Sequence, residues 1–339
     1  VVLLSGLTVH NCVSFRAQAF FIQMGRVSLA NIHIDGNTVC HNSYNSLYQA
    51  GAKDYDITNC VFVYSYPWAY HPNGATQILA GGVRGNATVR NEVIGNELGW
   101  AGEYPGRPDG CAYDFETPTS GVTFRSNLVH NTFGESVLFM GGCEHTDLLF
   151  DGNVFRNNVR FSPRWDVEVT VSESNTGNGT FSNNAFFSRP GIRAFSGKPE
   201  CFTFSGNEEQ ATGSFAEMPL VSHIAFGEGE RTYTLRTATP DASIRYTLDG
   251  SVPTADSALY EGAITVRRSG SLNAKAFRDD LYPSYVNALV VDLRDARGGA
   301  PVAEWLAGAD AQPPASARAK LASVADTFTI AFWATPEAE

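Results

Sequence analysis

No apolar run in this sequence reaches the roughly 18 to 20 residues that a membrane-crossing helix requires, so insertion into a bilayer by a helix is excluded. Basic residues are scarce as well. The 24 Lys and Arg stand against 35 Asp and Glu, and a net charge of −11 argues against nucleic acid, whose backbone is bound by clustered cations. A neutral or basic partner is expected instead. The six cysteines, at 12, 40, 60, 111, 143 and 201, show no C-x-x-C zinc spacing and are too sparse for a disulfide scaffold, which leaves buried thiols. Val1-Val2-Leu3-Leu4 is too short for a signal peptide, so the start reads as a cut.

What is present points to more than one unit. At 339 residues, with 43% hydrophobic and 17% charged residues, the chain can bury a real core and exceeds one compact domain. Gly and Asn concentrate in the first two thirds, Ala, Asp and Arg in the last third.

The first part is repetitive. IHIDGNTV, DITNCVFV, ATVRNEVI, VTFRSNLV, LLFDGNVF, GTFSNNAF and CFTFSGNE share one pattern, with LTVHNCVS a weaker first copy. Aligned on the turn, Cys12, Asn37, Cys60, Glu92, Asn127, Asn153, Asn184 and Asn207 are expected to be equivalent, with loops growing from one corner. Alternation at Val122 and Phe124, Leu148 and Phe150, and Phe202 and Phe204 gives short strands with one face inward. Such strands cannot close a core alone, but coils stacked at about 4.8 Å form long parallel sheets, with Asn side chains laddered in the turns. Missing Leu spacing excludes a leucine-rich repeat, and the lack of four strands per period excludes a propeller. A right-handed parallel β-helix is expected, and the repeat region resembles that of pectate-lyase-like carbohydrate-active proteins.

Function on a solenoid is expected where equivalent positions carry unusual residues beside loops. Eight residues after the aligned turn position stand Trp68, Trp100, Glu135 and Phe161, in or beside the long insertions YSYPWAYHP, LGWAGEYPGRP and FSPRWD. Aromatic faces stack on sugar rings, so Trp68, Trp100, Tyr104 and Trp165 suggest a saccharide groove, with hydrogen bonds from His71 or His145. Rings that merely cover the core, and histidines that merely shape turns, are the plainer alternatives.

Carboxylates supply the candidate chemistry. In DGCAYDFE, Tyr113 and Phe115 are expected inward and Asp114 and Glu116 outward, about 6.5 Å apart, near the separation of inverting glycosidases. A second arrangement uses Asp109 and Glu135, each 18 residues before a ladder Asn, with Asp166 in the same place one coil later. Stacking would bring these acids to about 5 Å, as in a retaining pair, and repulsion would raise one pKa. The same stack equally suits a structural Ca²⁺, so no cofactor is required and a metal stays open.

YDFETPTSGVTFRSNLVHN followed by LFMGGCEHTDLLFDGN resembles the catalytic coils of β-helical glycoside hydrolases, including the β-xylosidase group. The resemblance implies a nucleophile at Asp114, before Phe115. It implies an acid/base Glu on the next coil, where Met140 stands between Phe139 and Gly141, so Glu116, Glu135 or Glu144 would have to replace it. Polysaccharide lyases are the rival chemistry, but this region offers only Lys53 and Lys198 as lysines, and outward arginines such as Arg125 and Arg156 suit a solvated surface better.

From about Glu217 the Asn pattern stops, and alternating runs between turn signals read as a small β-sandwich, with Asp249 in a hairpin turn. ASIRYTLDGSVPTADSALYEGAITVRRSGSLNAKAF resembles the chitobiase/β-hexosaminidase C-terminal domain, which implies an accessory or spacer role and an extracellular setting. DTFTIAFWATPEA resembles the opening of a laminin-G/concanavalin-like jelly roll. The expected chain is all-β: β-helix over 1–215, sandwich over 216–294, linker over 295–325 and jelly-roll start over 326–339. The expected function is hydrolysis of plant or algal polysaccharide by a secreted or cell-surface bacterial protein. Glycan binding without cleavage, as in an adhesin, and lyase action are the alternatives.

Overall fold

The computed structural model describes residues 2–15, 21–23, 27–40, 47–49, 53–65, 78–80, 91–94, 97–101, 111–115, 119–139, 144–160, 166–171, 174 and 176–293. These residues form an all-β structure with a solenoid followed by a sandwich. The expected linker and jelly-roll start lie outside the described residues.

Three parallel sheets build the solenoid. Sheet A stacks Val2–His10, Val27–Asp35, Lys53–Thr58, Asn91–Ile94, Val122–Arg125, Glu144–Asp151, Thr176–Ser182 and Phe202–Ser205. Sheet B stacks Val13–Phe15, Thr38–Cys40, Val61–Ser65, Glu97–Ala101, Leu128–His130, Val154–Arg156 and Ala185–Phe187. Sheet C stacks Phe21–Gln23, Leu47–Gln49, Ile78–Ala80, Tyr113–Phe115, Val137–Phe139, Val167–Thr170 and Arg193–Phe195.

Strand alternation fills the interior in register. Phe124, Phe150, Phe181 and Phe204 lie on successive coils with ring centroids 5.0, 5.0 and 5.1 Å apart, and Phe115 and Phe139 stack at 4.5 Å on sheet C. Each ring removes a large apolar area from water and meets its neighbour in a stacked geometry.

The corner from sheet A to sheet B is constant in form. Its first residue takes a left-handed conformation (Asn11, Gly36, Asn59, Ser126, Gly152, Asn183 and Gly206 have φ between 52° and 64°), and its second is the ladder residue. Asn127, Asn153 and Asn184 each donate their side-chain amide to the carboxamide oxygen of the next, at 3.1, 2.9 and 2.9 Å, ending on Asn207. Cys12 and Cys60 fill ladder positions too. The Cys12 backbone N–H donates to Asn37 Oδ1 at 2.9 Å, and the Asn37 N–H donates to Cys60 Sγ at 3.4 Å.

Glu92 is not a ladder residue. It pairs with Asp56 and Thr123 inside sheet A, and because Glu97 pairs with Val61 and Leu128, the ladder position of that coil falls at 96. ATVR has the alternation of VTFR, but the segment that pairs with Val122–Arg125 is Asn91–Ile94, four residues further on.

The sandwich has seven strands in two antiparallel sheets. One holds Leu220–Gly227, Glu230–Arg236 and Ile264–Val266; the other holds Ala258–Leu259, Ser243–Thr247, Gly270–Phe277 and Asn287–Val291. Tyr233, Leu235, Ile244, Ile264, Leu272 and Val291 pack between them. Asp249 shapes the hairpin turn, accepting from the Ser251 N–H at 3.0 Å.

Candidate functional site

Corner lengths single out sheet C. The A-to-B corner is two residues long at every level, whereas both corners flanking sheet C vary, with 66–77, 102–112, 157–166 and 81–90 among the longest connections. The three insertions picked out in the sequence all fall on or run into the corner leading from sheet B to sheet C.

Asp114 is the middle residue of Tyr113–Phe115, between two fully buried rings. It lies in register with Leu79 on one side and Leu138 on the other, and Leu138 with Thr170 beyond it. Glu116, Asp109, Trp68, His71, Tyr104 and Trp165 lie outside the described residues.

Trp100 leaves the expected aromatic row. With the ladder position at 96 it stands four residues after the turn, and the pairs Gly99 with Val63 and Ala101 with Ser65 put it level with Tyr64 on sheet B.

Glu135 occupies the short corner before Val137–Phe139 and is fully buried. Thr170 Oγ1 donates to its Oε1 at 3.4 Å. The expected stacking of Asp166 on Glu135 does not form, because the pair Val137 with Val169 puts Glu135 level with Val167. Counting back from the ladder fails where the corners between differ in length. Asp166 is exposed and bound by Arg193, whose Nη2 donates at 2.9 Å, and this holds its carboxyl below the usual range.

His145, expected in the groove, lies in the interior instead. Its side chain is fully buried, edge-on to Phe139 at 5.3 Å and to Phe115 at 6.0 Å, where a saccharide has no access.

One acid escaped the sequence reading. Glu168, between Val167 and Val169, is fully buried on sheet C and accepts hydrogen bonds from Ser136 Oγ and, at 2.9 Å, Ser188 Oγ. Burial pushes its carboxyl above the ordinary value, against the opposing pull of bonds from Ser136, Ser188 and Asn158. Its signal was a lone acid in an apolar alternation, V-E-V, which normally marks a solvated face.

Among the described residues no group of three or more His, Cys, Asp or Glu is placed to hold a metal ion. Among the described residues no helix is long and apolar enough to cross a membrane.

Comparison with family models gives two matches. A right-handed beta helix region matches residues 6–208, and a chitobiase/beta-hexosaminidase C-terminal domain matches residues 227–287. Neither the curated proteins nor the solved structures give a match.

Proposed function

Because the chain belongs to the right-handed β-helix family, we propose that it is a secreted or cell-surface bacterial glycoside hydrolase, acting on plant or algal polysaccharide along sheet C. Both matched families fit a carbohydrate-active protein.

The observation that carries this reading is the place of Asp114. Alternation puts it on the face of sheet C opposite the interior Tyr113 and Phe115, in the sheet whose two flanking corners carry the long loops. In this mechanism Asp114 acts as nucleophile or as base. Glu116, two residues on in the sequence, is the first choice of acid, since acid and base carboxyls of inverting enzymes stand roughly 6.5 to 9.5 Å apart, about the reach of two residues of extended chain. Glu135 ranks behind it, because a general acid must reach the glycosidic oxygen and its carboxyl is enclosed. Its burial and its contact with Thr170, in the register column of Asp114, suit the support of the site better.

The test is incubation of the intact chain with a panel of plant and algal polysaccharides, following reducing ends and ultraviolet absorbance together. New reducing ends without an absorbing product are expected. An absorbing unsaturated uronate would make the protein a lyase, and retention on a polysaccharide without any product would make it a binder.

A further inference from the structure

The outer face of sheet B is covered at its early and its late coils. Phe15, Cys40, Val63, His130, Arg156 and Phe187 fall in one register column, running from the first coil to the seventh, about 29 Å at 4.8 Å per coil. Cys40 and Val63 share a buried cluster with Val286 of the sandwich, and His130, Arg156 and Phe187 meet the sandwich or the segment leading into it.

At the first coils the contact is apolar. Cys40, Val61 and Val63 cluster with the fully buried Val286, and Phe15, Val252, Ala288 and Val290 pack against them. At the later coils it is aromatic and cationic. The His130 ring lies flat on Tyr285 at 3.8 Å, the Arg156 guanidinium sits 3.7 Å over Phe215 and 4.7 Å over Tyr285, and Phe187 meets Tyr282 edge-on at 4.8 Å.

Hydrogen bonds cross the same interface. Thr38 Oγ1 accepts from Asn273 Nδ2 at 2.9 Å and donates to the Gly250 carbonyl at 3.1 Å, and the Val252 N–H donates to the Asn59 carbonyl at 3.1 Å. The backbones touch at Gly250, where a Cβ would stand 2.3 Å from the Gly36 carbonyl oxygen.

From this we infer that the sandwich is a fixed brace of the solenoid, not a spacer. In a solenoid each coil is held mainly by its neighbours, so a coil interrupted by a long loop is a weak link. A module gripping the second and third coils and also the fifth to seventh couples them directly and lets the two parts unfold as one. Modules in one chain move relative to each other unless their interface is large and apolar, and this one joins an apolar cluster at the first coils to ring and guanidinium stacking at the later ones. The brace also closes sheet B to any polysaccharide, which leaves ligand binding to the other faces.

Calorimetry and hydrogen exchange by mass spectrometry on the full chain test this. A single thermal transition is expected, and two separate transitions would overturn the inference. In the Val286→Asp variant, exchange at 38–40 and 61–63 should rise at least about tenfold, while strands 231–236 and 264–266 stay protected. Unchanged exchange on sheet B would overturn it. Should Val286→Asp fail to fold throughout, Tyr285→Ala decides. Faster exchange at 128–130 and 154–156 supports the brace, and no change there refutes it.

Discussion

Asn153 ties three coils together, donating its side-chain amide forward to Asn184 Oδ1 at 2.9 Å and back to the Phe124 carbonyl at 2.8 Å. Its own oxygen accepts from the Asn127 backbone N–H at 3.0 Å and side-chain amide at 3.1 Å. Replacement by Ala strands several buried groups, each costing about 1 to 3 kcal/mol. Asn153→Ala should therefore lose roughly 2 to 4 kcal/mol in urea unfolding. A loss under about 0.5 kcal/mol would show that the ladder is ornamental to stability.

The aromatic column makes a second prediction. Phe150 stacks between Phe124 and Phe181 and meets Phe139 edge-on at 5.6 Å, so truncation opens a cavity that flanking coils cannot fill without losing register. Phe150→Ala should cost about 3 to 5 kcal/mol, with Phe150→Leu costing distinctly less. Equal losses would mean that ring stacking, and not filled volume, dominates.

Stability should carry a pH signature from Glu168. A carboxyl whose folded value is raised stays protonated in the native chain after the unfolded chain has begun to ionise near 4.5, so its contribution is full below that point and is lost as pH rises through the folded value. The lowered carboxyls of Asp151 and Asp166 act with the opposite sign, contributing above their ordinary value and losing that contribution as pH falls. Compared with wild type, Glu168→Gln should gain in relative urea midpoint as pH rises above the ordinary value of 4.5 towards the raised folded value. A difference constant across that range would contradict the burial argument.

Thiol reactivity separates the cysteines. Burial pushes the Cys40 and Cys60 thiols up to about 12, whereas Cys201 is exposed. Since the thiolate is the reacting species, iodoacetamide at pH 8 should label Cys201 in the native protein and reach Cys40 and Cys60 only on unfolding. Native labelling of Cys60 would show that the ladder opens readily.

Much of the fold was legible because its determinants are local and repeated. Asn37, Asn127, Asn153, Asn184 and Asn207 each carry the same turn signal, and alternation about Phe124, Phe150 and Phe204 announces which side faces inward. The misalignment at Glu92 came from ATVR, whose alternation matches VTFR although Asn91–Ile94 is the segment that pairs with it. It set Trp100 in a row with Trp68, whereas Trp100 stands level with Tyr64 on sheet B.

The site was less legible, because it depends on which residues lie level across corners of unequal length. Glu135 and Asp166 share a distance from the ladder but not a level, and burial, which separates them, is set by the chain packed around each. Arg156 shows the limit most clearly. As an outward strand residue it suits a solvated surface, yet Phe215 and Tyr285, 59 and 129 positions later, cover it. No pattern within one coil encodes that contact.

The most direct measurement compares Asp114→Asn with wild type on whichever polysaccharide is cleaved, scoring reducing-end release and binding on the same samples. Turnover abolished with binding retained is the predicted result. Undiminished cleavage by the variant would place the chemistry away from Asp114 and contradict the assignment to sheet C.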